Sequence, residues 1–145
     1  MSSANEEVES EGRLEKGQRS PSLRVLLVED HADTRVALEK FLKALGHRPK
    51  VAQNMEEALL LGCAENRKFD LLLSDIRLPD GDGWELLLRL RESGCCPKRA
   101  IALSGLGSRQ DISKSKAAGF EAHLTKPLSP STLKAALANY ENTLE

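Results

Sequence analysis

The stretch Leu71-Leu72-Leu73-Ser74-Asp75 decides the fold. Three consecutive leucines without polar alternation describe a strand covered on both faces, as in a parallel sheet with helices on either side. A bare aspartate directly behind them stands at the carboxyl end of that strand, where open α/β sheets bind their ligands. The same pattern occurs three more times. Val25-Leu26-Leu27-Val28 runs into Glu29-Asp30, Ala100-Ile101-Ala102-Leu103 into Ser104, and Ala122-His123-Leu124-Thr125 into Lys126-Pro127. As parallel strands, these runs bring three carboxylates, a hydroxyl and an ammonium to one rim. Carboxylates hold a hard divalent cation, and a lysine with a hydroxyl holds phosphoryl oxygens. The set points to an aspartate that accepts a phosphoryl group.

Helical patterns fill the spaces between the runs. Leu38, Phe41, Leu42 and Leu45 follow the i, i+3, i+4, i+7 rule and predict a helix over 33–45 that stops at Gly46. A weak strand at 49–52 precedes a second helix with Asn54 as N-cap. Behind Asp75, the loop Pro79-Asp80-Gly81-Asp82-Gly83 leads into a third helix over 84–91. A strand at 99–103, a helix at 108–118 closed by Gly119, a strand at 121–125 and a last helix at 131–140 complete the alternation. Ser129 or Ser131 caps that last helix, with Pro130 suited to its first turn. Alternating βα units predict a doubly wound α/β domain with a five-stranded parallel sheet over residues 23–142. Residues 1–22 carry Glu6, Glu7, Glu9, Glu11 and Glu15 but only Val8 and Leu14 as sizeable apolar residues, and read as a disordered tail or linker. A Glu-rich helical linker is the alternative reading.

The formal net charge is −1, and no basic stripe of the kind that binds nucleic acid stands out. No apolar stretch reaches membrane-spanning length, and the first residues lack the apolar core of a signal peptide. Cys63, Cys95 and Cys96, with two of the three adjacent, suit neither a disulfide framework nor a zinc site. They read as incidental thiols of a reducing, cytoplasmic compartment.

Taken together, Leu27-Val28-Glu29-Asp30, Leu73-Ser74-Asp75 with Pro79, Gly81 and Gly83, Leu103-Ser104-Gly105, and Leu124-Thr125-Lys126-Pro127 resemble the receiver domains of two-component response regulators. The resemblance covers about residues 23–140 and implies the flavodoxin-like strand order 2-1-3-4-5. It implies phosphoryl transfer to Asp75 from a histidine kinase or a histidine phosphotransfer domain, with Mg²⁺ (or Mn²⁺) as cofactor. Asp30 and Asp75 would bind the metal directly, Glu29 partly through water, and Arg77 through its backbone carbonyl. Lys126, preceding a cis-proline, and Ser104 would hold phosphoryl oxygens. The Arg77 side chain would project near the phosphoryl group. His123 stands where the family carries a tyrosine or phenylalanine that reorients with Ser104 on activation, and by itself reads as a surface ring on the fifth strand that can still switch between two rotamers. A signalling domain of this type is not an enzyme in its own right, although it assists its own phosphorylation and, within a hybrid protein, would serve a histidine kinase. A homodimer would form through the face of helix 4, strand 5 and helix 5.

The residues alone also allow blander roles. Asp75 as a helix cap is disfavoured by its place directly behind three leucines, and Glu29-Asp30 equally suits the start of a helix. His31, next to the acidic pair, reads as a solvent-facing loop residue, with contact to the metal site as the alternative, His47 as incidental, and Trp84 as a packing residue. Two other functions compete. An aspartyl-nucleophile phosphatase would carry a second acid two residues after Asp75, where Arg77 stands. A degenerate receiver serving only protein interaction would lack part of the acid, hydroxyl and lysine set.

Overall fold

The computed structural model describes residues 22–64, 68–105 and 109–144, with side chains described as far as residue 138. The 1–22 tail, apart from Ser22, and the expected start of the fourth helix at Ser108 lie outside the described residues. Five strands form one parallel sheet: β1 (Arg24–Val28), β2 (Arg48–Ala52), β3 (Leu71–Asp75), β6 (Arg99–Ser104) and β7 (Ala122–Thr125). Their spatial order is β2-β1-β3-β6-β7. Two further strands, β4 (Arg77–Leu78) and β5 (Gly81–Asp82), pair only with each other. Without that small hairpin the order is the expected 2-1-3-4-5. A two-residue strand is too short to leave a periodic signal, so the segment reads as loop in the sequence.

The helices are α1 (Ala32–Ala44), α2 (Met55–Gly62), α3 (Gly83–Glu92), α4 (Arg109–Ala118) and α5 (Pro130–Leu144). Their ends follow local chemistry. Asn54 accepts from the Glu57 amide at 2.8 Å, and the Glu57 carboxylate accepts in turn from the amide of Gln53, the residue before the cap, at 2.9 Å. Asp82 caps α3 through the Glu85 amide at 2.7 Å, and Ser129 caps α5 through the Thr132 amide at 3.1 Å. The Asp80 carboxylate of the hairpin turn accepts from the Met55 and Glu56 amides at 2.8 and 3.0 Å. It fastens the loop behind Asp75 to the start of α2.

Alternation along the strands sorts the core into two layers. Leu26, Val28, Leu72, Ala100 and Ala102 face Met55, Ala58, Leu86, Leu87 and Leu90 of α2 and α3. Val25, Leu27, Leu71, Leu73, Ile101 and Leu103 face Leu38 and Leu42 of α1 and Leu133 and Leu137 of α5. Both faces of β3 are therefore apolar, and burying each leucine contributes about 1.5–3 kcal/mol. α4 is the exception. Its sequence RQDISKSKAA is polar, and Ser115 is its buried residue.

Three residues read as incidental prove structural. His47 is buried, and its Nδ1 accepts from the Leu23 amide at 3.1 Å at the foot of the sheet. Cys63 and Cys95 are joined in a disulfide with their Cα atoms 5.2 Å apart, while Cys96 is an exposed free thiol. The expectation of three unpaired thiols is thus corrected. The C-terminal end of α2 and the turn after α3 meet only in the folded chain, and their sequence separation of 32 residues gives no hint of it.

Candidate functional site

The sheet register sets the site. Val28 lies opposite Ser74, Asp75 opposite Leu103, and Ser104 opposite Thr125. The residues that follow each strand therefore emerge at one level, with Asp75 central. Backbone bonds carry the ladder beyond the strand ends: the Ile76 amide donates to Leu103 at 2.8 Å, and the Lys126 amide to Ser104 at 2.7 Å. Arg35, which the sequence reading passed over, donates from Nη1 to the Glu29 carbonyl at 3.0 Å and holds the turn into α1. Gly83 lets α3 begin directly over Asp75. A Cβ there would lie 2.7 Å from the Asp75 carbonyl oxygen and 3.3 Å from the Ile76 Cα, so no larger residue fits without backbone movement.

Lys126 bridges the two most deeply buried acids. Its Nζ donates to Glu29 Oε1 at 2.8 Å and to Asp75 Oδ2 at 2.9 Å. The Lys126–Pro127 peptide bond is cis, as expected. Burial pushes the Asp75 carboxyl up to about 6, with the Glu29 charge adding to it and Lys126 only partly offsetting it. Burial also opposes ionisation of Glu29, but hydrogen bonds from Lys126 and His31 outweigh it and hold that carboxyl below the usual value. Lys126 is raised: burial disfavours its charge, but the two acids outweigh that. One ammonium thus faces two buried carboxylates, and Asp30 adds a third acid.

Glu29, Asp30, His31 and Asp75 each offer a donor atom, all within 4.8 Å of one another. Asp30 Oδ1 is buried and has no hydrogen-bond partner among the described residues. Excess negative charge, oxygen donors and an orphaned carboxylate oxygen fit a hard divalent cation such as Mg²⁺. His31, read as a solvent-facing loop residue, is 72% exposed, yet its Nδ1 lies 3.1 Å from Glu29 Oε2.

Around this centre, Ser104 is buried at the end of β6. The Arg77 side chain, expected near the phosphoryl site, instead lies 3.8 Å from Asp111 Oδ2 on α4 and is largely exposed. The short hairpin carries it outward. His123 is half-buried rather than a surface ring. Its Nδ1 lies 3.1 Å from Ser115 Oγ, and its Nε2 is buried without a partner among the described residues. Trp84 Nε1 donates to the same Ser115 hydroxyl at 3.0 Å, so α3, α4 and β7 share one polar contact. Nothing in the helical pattern of α4 marks Ser115 for this place.

The family model described as "Response regulator receiver domain" matches residues 25–138. A gliding motility regulatory protein of Myxococcus xanthus is 38% identical over 105 residues, which is 72% of this chain and 13% of that protein. The KDP operon transcriptional regulatory protein KdpE of Escherichia coli is 36% identical over 113 residues, covering 78% of this chain and 48% of KdpE. The chain thus spans less than half the length of these two relatives. A receiver domain protein (CheY-like) from Methanospirillum hungatei superposes with a TM-score of 0.74 at 27% identity, covering 85% of this chain and 96% of that one. A two-component response regulator from Clostridium difficile gives 0.76 at 27% identity, covering 86% and 99%. With strand order, acidic pocket and family model in agreement from β1 through α5, the chain belongs to the response regulator receiver domains of two-component systems.

Proposed function

We propose that Asp75 accepts a phosphoryl group from the phosphohistidine of a histidine kinase or phosphotransfer domain, in a reaction that requires Mg²⁺. The observation that carries this reading is the Lys126 ammonium held between Glu29 and Asp75, beside the orphaned Asp30 oxygen. An Asp75 oxygen forms the new bond to phosphorus as the phosphorus–nitrogen bond breaks and the imidazole leaves. A carboxylate is a poor nucleophile, so position and charge supply the catalysis. Lys126 orients the Asp75 carboxylate through Oδ2 and then offsets charge on the transferring group. Asp30, Asp75 and the Arg77 carbonyl would hold Mg²⁺, with Glu29 acting partly through water. When bound, the ion supplies positive charge opposite the phosphoryl oxygens.

The phosphoryl group then draws the Ser104 hydroxyl toward it, and His123 turns into the space. In turning, the ring leaves Ser115, and α4, with few apolar anchors, shifts against β7 and α5. That face is the output surface, for a partner or for a second copy. The working unit is residues 23–142 in the cytoplasm, with its kinase in the same chain or another.

Incubation with acetyl phosphate and Mg²⁺ should add one phosphoryl mass to the chain, and Asp75→Asn should abolish it. Stoichiometric labelling of the Asn variant would rule the assignment out. The imidazole NMR signals of His123 should shift on binding beryllofluoride, and unchanged signals would remove the switch.

A further inference from the structure

The corner where the chain enters the sheet carries a cluster of cations that phosphoryl transfer to Asp75 does not use. Arg24 of β1 lies opposite Arg48 of β2 in the parallel register, and Lys50 follows Arg48 on the same face of β2. With Lys43 of α1 they line an open cavity of about 680 Å³. Glu39, the acid of that lining, pairs with Lys43 at 3.3 Å. Nearby Asp70 accepts from the Arg24 amide through Oδ2 at 2.8 Å. Among the described residues, no carboxylate pairs with the side chain of Arg24, Arg48 or Lys50.

Like charges directly opposite on neighbouring strands weigh against folding. Lys50 and Pro49 taken alone are the usual guard of an edge strand, which β2 is. Arg24 does not fit that account. It stands on the interior strand β1 and sets a second cation beside Arg48.

We infer that this cluster is the docking surface for the acidic segment Glu6-Glu7-Val8-Glu9-Ser10-Glu11 of the same chain, which lies outside the described residues. Charge complementarity is the first support, since four glutamates in six positions face three cations without acid partners. Arg13, Lys16 and Arg19 carry the sign of the cluster, so the attraction selects the part of the chain ahead of them.

The path of the chain is the second support. Ser22 Oγ donates to the Gly46 carbonyl at 2.8 Å, and the Leu23 carbonyl accepts from the Arg48 amide at 2.8 Å. The chain therefore enters the fold at the turn between α1 and β2, beside Arg24 and Arg48. From Glu11 to Ser22 it advances eleven positions. An extended chain of that length reaches about 36–40 Å, ample for a cluster that begins two residues past Ser22. Such a tether holds the segment at an effective concentration on the order of mM.

The test compares amide spectra of the isotope-labelled full chain with those of a variant carrying Glu6→Gln, Glu7→Gln, Glu9→Gln and Glu11→Gln. At low salt the two should differ at Arg24 and over 47–51, far in sequence from the substitutions, and at the Nε–H signals of Arg24 and Arg48. The difference should be lost in about 1 M NaCl, where the screening length is about 3 Å. It should also be lost when both chains carry Arg48→Gln and Lys50→Gln, two exposed positions outside the core. Inorganic tripolyphosphate adds a competition. The glutamine variant should bind it about tenfold more tightly than the parent, because the tethered segment no longer occupies the cluster. Spectra that coincide at Arg24 and over 47–51, or equal affinity for tripolyphosphate, overturn the inference and leave the cluster to an external polyanion. Differences that grow with protein concentration overturn it in favour of a second copy of the chain.

Discussion

Asp75 has opposing demands on it. It must be charged to attack phosphorus, yet burial and the neighbouring Glu29 push its carboxyl from 3.8 up to about 6. A carboxyl raised in the folded state binds its proton more tightly there than in the unfolded chain. Stability from this group is therefore greatest at acid pH and is lost as pH rises from the unfolded value through about 6. At neutral pH the ionised form weighs against folding. Asp75→Asn keeps the shape and an oxygen acceptor for Lys126 but removes the charge, so the metal-free variant should be more stable than the parent. The gain at pH 7 is about 2–3 kcal/mol from the size of the shift. Urea unfolding in EDTA measures it, and an equal or lower midpoint for the variant would contradict the assignment of strain to Asp75. Mg²⁺ should narrow the gap by stabilising the parent more than the variant.

Among the described residues, α4 is the helix with the fewest buried side chains. Its buried contact is the Ser115 hydroxyl, shared with Trp84 of α3 and His123 of β7. Burial depresses the His123 pKa, and Asp111 of the same helix pulls the other way without cancelling it. The sign follows from linkage. The unfolded chain takes up the imidazole proton first, so this group leaves stability intact above its ordinary value of 6.5 and removes it as pH falls toward the lower folded value. Asp75 contributes the opposite trend in the lower part of that range, so the comparison must be between the parent and His123→Phe. The difference in unfolding midpoint between the two should shift in favour of the Phe variant as pH is lowered from 7 toward 5.5, a range set around the unperturbed histidine value of about 6.5. A difference that stays constant across this range would show that His123 is solvated in both states. Helix α4 was legible in its span from the run before Gly119, but its loose attachment was not. That property depends on which residues of neighbouring elements reach Ser115.

Across the whole molecule, the disulfide ties α2 to the turn after α3, at the end of the sheet opposite the phosphoryl site. Pocket and tether are thus separated by the length of the strands. Closing a segment of 32 residues restricts the unfolded chain, and the stabilisation expected for a loop of this length is about 3–4 kcal/mol. Reduction, or Cys63→Ser, should lower the urea midpoint accordingly while leaving phosphorylation of Asp75 in place. Thiol titration reports the state directly: one reactive group with the bridge closed and three once it is reduced. Three in the protein as purified without reductant, with no stability change on adding reductant, would show that the pair does not close.

What the sequence by itself determined was everything that local order controls. Strand identity followed from apolar runs without alternation, helix starts from Asn54 and from Ser129 or Ser131, and the site acids from their place directly behind the strands. Parallel strands in register bring such residues to one edge whatever the details of packing, so Glu29, Asp30, Asp75, Ser104 and Lys126 were readable before any coordinates. The tertiary structure alone decided the contacts between residues far apart in the chain. Lys126 reaches Glu29 across 97 positions, Arg77 turns away to Asp111, Cys63 meets Cys95, and Ser115 joins Trp84 to His123. Each depends on the angle and depth at which one element lies on another. No period of two or 3.6 residues encodes that information, because it arises only when side chains from separate elements compete for the same space.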